Sequence, residues 1–125
     1  MGKKVSDSDS QILCDSIVEG MQENKAQDIV VLDLREIPSA VADFFVLCSG
    51  ESIVQVDGIS ANVARHTRKE LSEKPWHIEG KTNKEWILMD YVSVVAHIFY
   101  YDRRSFFDLE DLWADAKRTN IPNLN

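Results

Sequence analysis

Hydrophobic and polar residues alternate most clearly late in the chain. The run Glu85-Trp86-Ile87-Leu88-Met89-Asp90-Tyr91 predicts a strand with 86, 88 and 90 on one side and 87, 89 and 91 on the other. Ile87 and Met89 mark the natural core side, which turns Trp86 and Leu88 outward beside Asp90. The alternative is that helices cover both sides and Trp86 is core. A second strand over 93–100 follows a tight turn and groups His97 with Val95 and Phe99. Beyond Asp102, the spacing of Leu109, Leu112 and Trp113 predicts a short helix that fades by Thr119.

The first half shows other periods. Leu13, Ile17 and Met21 recur every four residues and predict a helix up to about Asn24, with Ser8 and Gln11 as its reciprocal cap. Gly20 lies inside that apolar face and offers room for a close neighbour. Ile29-Val30-Val31-Leu32 and Phe44-Phe45-Val46-Leu47-Cys48 are short continuous apolar runs, the mark of strands buried on both faces. Pro38 breaks the connection between them. Ser52 and Gln55 form a second capping pair. They open a long helix whose inward stripe is Val56, Ile59, Val63 and Leu71 and which ends before Pro75. Residues 76–78 read as a short edge strand, and 79–83 as a turn-rich loop. The order implies an α/β (α+β) domain: a mixed sheet of about five strands flanked by helices, spanning 8–116, between a flexible tail at 1–7 and a C-terminal tail at 117–125.

Length and composition agree with one domain able to hold a core without staples. No apolar run approaches the ~20 residues that span a bilayer. The start Met1-Gly2-Lys3-Lys4-Val5-Ser6 fits the loose myristoylation pattern, but a frayed charged tail is the plainer reading. Cys14 and Cys48 sit among apolar neighbours and read as reduced core residues, pointing to a cytoplasmic, reducing compartment. The formal net charge is −7. Residues 85–113 hold six acids against two bases, so the acidity concentrates there. Such a charge repels phosphate backbones and favours a basic partner.

Candidate chemistry is sparse. Ser49-Gly50-Glu51-Ser52, a turn from strand to helix, resembles an anion site at a helix N-terminus, as nucleotidyltransferases use. That activity also needs paired acids converging on two cations. Asp90 has Leu88 and Val92 two residues away instead, and Glu51 puts negative charge where phosphate should sit. Of His66, His77 and His97, the last lies on an apolar strand face, where a histidine is more often a hydrogen-bonded structural residue than a catalyst; Ser49 has no His/acid companion in a known nucleophile motif, and Cys14 and Cys48 suit no nucleophile. No catalytic, cofactor or metal residue is assigned. Outward Trp86 and Leu88 beside Asp90 instead resemble an interface hot spot with a polar rim. The same face would also serve a homodimer.

Several stretches together resemble the Iojap / ribosomal silencing factor family. They are residues 25–33, 42–52 and 85–91, the pair Glu79-Gly80, the triplet His97-Ile98-Phe99, and 104–113 ending Leu109-Glu110-Asp111-Leu112-Trp113. The resemblance covers about residues 8–114. It implies a nucleotidyltransferase-like sheet without its catalytic acids. It further implies non-enzymatic binding to the large ribosomal subunit, through the protein L-fourteen on the face that meets the small subunit. Subunit joining is then blocked sterically and translation repressed. Organelle relatives assist large-subunit assembly, and a residual nucleotide-binding enzyme is the further alternative. The family's partner-facing tryptophan carries over to Trp86, and its acid and following apolar residue to Asp90 and Tyr91. Arg104 and Glu110 carry over as well, though both also suit internal ties. Where the family commonly has glycine and an acid after the Asp-Tyr pair, this chain has Val92-Ser93. That substitution makes a positive φ costly and removes one negative charge.

Overall fold

The computed structural model describes residues 7–124. Its elements run α1 (Asp7–Glu23), β1 (Gln27–Asp33), β2 (Phe44–Gly50), α2 (Ile53–Leu71), β3 (His77–Glu79), β4 (Trp86–Asp90), β5 (Val94–Tyr100), α3 (Tyr101–Phe107), α4 (Leu109–Leu112) and β6 (Lys117–Ile121). The predicted α+β class holds, but the sheet has six strands, ordered β3-β4-β5-β2-β1-β6. β2 and β5 pair in parallel at its centre, and all other pairs are antiparallel.

The extra strand lies where the sequence suggested a tail. Lys117–Ile121 pairs with β1 from Ile29↔Ile121 to Asp33↔Lys117. Its polar composition hides it from a pattern search, because its ladder is made by the backbone and four of its five residues are exposed. Lysine and arginine on such an edge also discourage pairing with other chains. Asn123 extends the attachment: its Oδ1 accepts the Asp28 N–H at 2.8 Å.

The other elements follow the pattern closely. α1 opens at Asp7, so Ser8 falls in the first turn; the myristoylation pattern at 1–6 lies outside the described residues. Ser52 caps α2 as expected, its Oγ accepting the Gln55 N–H at 3.0 Å. The return bond differs, since Gln55 Oε1 accepts from Glu51 N–H at 2.7 Å. The space at Gly20 is used: a Cβ there would meet Val63 Cα at 3.0 Å, so the glycine lets α1 and α2 cross closely. Both helices lie on one side of the sheet. There they bury Ile17, Met21, Val56, Ile59 and Val63 against Val46, Ile87, Met89, Ala96 and Ile98, all fully enclosed. Each such Ile, Val or Met side chain stabilises by roughly 1.5–3 kcal/mol.

The opposite face has a second, smaller cluster. Val30, Leu32, Phe45, Leu47, Val95 and Phe99 are buried there, with Leu109 from α4 packed upon them. Trp86, Leu88 and Trp113 sit at its margin, only partly covered. Among the described residues no helix is long and apolar enough to cross a membrane.

Candidate functional site

β4 carries the centre of the site. Its burial alternates along Trp86–Asp90: Ile87 and Met89 are sealed under the helices, while Trp86, Leu88 and Asp90 are half-buried on the opposite side. This is the division the two-residue period predicts. Trp86 pairs with Phe99, Leu88 with His97, and Asp90 with Val95. The Trp86 indole stacks on Phe99 with ring centres 5.3 Å apart and planes 28° apart. Its Nε1–H donates to His97 Nδ1 at 3.0 Å. One face of the ring is thus set against Phe99 and its N–H against His97.

The loop before β4 helps to hold that position. Gly80 has φ +88°, and any Cβ there would overlap the Trp86 carbonyl. Only glycine tolerates both the conformation and the approach. Lys81 and Lys84 anchor the same loop to α2 through Asp57, whose carboxyl the Lys81 hydrogen bond holds below its usual range.

Asp90 ends the strand and shapes the next turn. Its Oδ1 accepts the Val92 N–H at 2.7 Å, and its carbonyl accepts the Trp76 N–H at 2.8 Å. Ser93 N–H reaches back to the Tyr91 carbonyl at 3.0 Å, closing a tight turn on Val92. Val92 has φ +76°, a costly conformation for a β-branched residue. It is the strain expected where glycine is replaced. The turn leaves Val92 56% and nearby Trp76 77% exposed.

Three sequence-assigned residues do not join this surface. Tyr91 is 6% exposed and faces the helices, its hydroxyl 2.9 Å from Thr67 Oγ1. Burial pushes its phenol up to about 12. The alternation rule already groups 91 with 87 and 89, so the correction is one that β geometry dictates. Arg104 and Glu110 turn to each other: Arg104 Nη2 lies 2.9 Å from Glu110 Oε2, and both side chains are largely buried. Arg104 Nη1 also donates to Ser49 Oγ at 3.0 Å and to the Asp28 carbonyl. The pair ties the C-terminal segment to β1 and β2. A cleft of about 610 Å³ opens beside it, lined by Asp28, Ser49, Arg104, Asp108, Glu110 and Arg118 among others. Asp102, Asp108 and Asp111 are exposed around this end of the molecule.

The phosphate-site candidate is occupied by its own chain. Ser49 Oγ accepts from Arg104, the Glu51 amide donates to Gln55 Oε1, and the Gln55 amide in the first turn of α2 donates to Ser52 Oγ. Among the described residues no three His, Cys, Asp or Glu side chains are grouped to hold a metal. Burial lifts Cys14 and Cys48 to about 12 and drops His97 to about 3, which keeps all three neutral.

Comparison with known proteins bears on this arrangement. The family described as "ribosomal silencing factor during starvation" matches residues 7–125. The chain is similar to the ribosomal silencing factor RsfS of Halalkalibacterium halodurans, 36% identical over 90% of this chain and 94% of that one. It is 39% identical to RsfS of Bacillus subtilis over 79% and 82%. A crystal structure of a Chromobacterium violaceum protein superposes with a TM-score of 0.77 at 28% identity, covering 83% of this chain and 85% of that one. A mouse relative named "mitochondrial assembly of ribosomal large subunit protein 1" is 28% identical over 79% of this chain and 44% of its own length.

Proposed function

This chain belongs to the ribosomal silencing factor family, and on that premise we propose that it binds the large ribosomal subunit and keeps the small subunit away. The contact is a basic ribosomal protein on the intersubunit face. The observation that carries the reading is the half-exposed Trp86 and Leu88 beside Asp90 on the thinly covered side of the sheet. A stacked, hydrogen-bonded tryptophan offers large contact area with little freedom to lose on binding. A net charge of −7 steers the molecule toward a basic surface, faster at low salt than at high.

In this reading the protein makes and breaks no bonds and needs no cofactor. It works in the cytoplasm by filling space. Trp86, Leu88 and Asp90 touch the partner; Arg104 and Glu110 tie the C-terminal segment to β1 and β2, and Tyr91 holds the end of β4 to α2. A subunit-joining assay with purified ribosomal subunits tests the blockade. Joining should fall as the chain is added and recover as salt is raised. Normal joining in saturating amounts of the chain rules the reading out. The name of the mouse relative favours a second reading, in which the same docking assists large-subunit assembly. Deleting the gene separates the two, since an assembly role leaves immature large subunits during growth. A second copy of the chain on the same face would appear as concentration-dependent light scattering that Trp86→Ala abolishes.

A further inference from the structure

The outward stripe of β4 continues to the edge of the sheet. In the β3–β4 register Glu79 faces Leu88 and His77 faces Asp90, so all four share one side. At that end two apolar side chains are each more than half exposed, Trp76 just ahead of β3 and Val92 in the turn after β4. Asp90 fastens both: its carbonyl accepts the Trp76 N–H, and its Oδ1 accepts the Val92 N–H.

A single exposed apolar residue calls for no explanation. Val92 differs because it is strained as well. At its φ of +76° a β-branched side chain crowds its own backbone, whereas glycine or asparagine would make the same turn at little cost. With more than half of its surface in water, the side chain recovers little burial against that strain. Strain that the fold does not use is characteristic of a surface used for something else. Glu79 and Asp90 supply two carboxylates on the adjoining stripe. An apolar tip with an acidic margin fits an apolar side chain bordered by lysine or arginine.

We propose that Trp76 and Val92 form a second contact of the docking surface, taking an apolar side chain of the basic ribosomal protein while Glu79 and Asp90 meet its flanking cation. This extends the reading of Trp86 and Leu88 as docking residues and rests on it. The tip then adds selectivity that charge alone lacks, since a basic surface without the apolar neighbour would bind more weakly.

The test uses the full chain titrated against purified large ribosomal subunits, with Tm recorded for each variant. Trp76→Ala should bind about tenfold more weakly with Tm nearly unchanged. Val92→Asn tolerates the turn and removes the apolar group. It should bind about threefold more weakly while its Tm holds or rises, a pairing that a purely structural role for Val92 would not give. Wild-type binding by either folded variant overturns the proposal, as does a loss of binding matched by a fall in Tm. If Trp76→Ala does not fold, Val92→Asn decides alone. Light scattering of the chain by itself covers the other occupant: self-association that both variants abolish, with subunit binding intact, assigns the tip to a second copy and overturns the proposal. A wild-type chain that does not bind large subunits defeats the docking reading, and the tip with it. Normal binding by the tip variants beside a weakened Trp86→Ala removes the tip alone.

Discussion

Ile87 and Met89 leave β4 on one side, Trp86 and Leu88 on the other. The first pair is sealed beneath two long helices; the second packs, half-buried, at the margin of the smaller cluster. The same division runs through β2 and β5, where Val46, Ala96 and Ile98 face the helices and Phe45, Val95 and Phe99 face away. One face is closed by the two helices, the other partly open. The difference shows how adjacent residues of a single strand can serve stability and recognition separately, because the pleat keeps them apart.

Mutations on the two faces should therefore differ in kind. The largest effect is expected from Ile87→Ala, which leaves a cavity beneath the helices and should cost about 2–5 kcal/mol in chemical denaturation. The remaining folded molecules should bind normally. Trp86→Ala should do the reverse, costing about 2 kcal/mol or more in binding to large subunits while the protein stays folded. Wild-type co-sedimentation by that variant would erase the functional contrast between the faces.

Acid unfolding sharpens the comparison further, since the open face holds a buried neutral histidine and the helix-covered face none among the described residues. Burial lowers His97 from 6.5 to about 3. Between those values the unfolded chain binds the proton and the folded chain does not, so stability falls as pH falls. The His97 contribution is intact above pH 6.5 and drains away toward pH 3, at up to about 1.4 kcal/mol per pH unit. His97→Leu should flatten that slope in denaturation curves taken across the range. The smallest effect belongs to the turn between the strands. Val92→Gly relieves a strained φ and should stabilise by about 1 kcal/mol or less, read as a rise in Tm.

Much of this division is legible in the sequence. Alternation over 86–91 sorts the faces, and the stripe Val56, Ile59, Val63 identifies the inner side of α2. The same rule puts Tyr91 with the core, against its assignment by resemblance to the partner surface. Local parity is the better guide there because it is imposed by backbone geometry. β6 escapes notice since Lys117, Arg118, Thr119 and Asn120 carry no apolar alternation; its place depends on β1, far away in sequence. The Trp86–His97 bond is hidden for a related reason. Both residues are visible, but their meeting depends on a cross-strand register that side-chain pattern does not reveal. Arg104 and Glu110, six residues apart, suit either a partner or each other, and only the fold brings them together.

The central parallel pair joins Phe44 to Val94 and Gly50 to Tyr100. A ribosome making this chain must finish α2, β3 and β4 before β2 meets its second neighbour. At ~10 residues per second that leaves an apolar strand with one open edge for a few seconds. Nascent molecules are therefore most prone to sticking, and most in need of chaperone cover, in the interval before Val94–Tyr100 emerges.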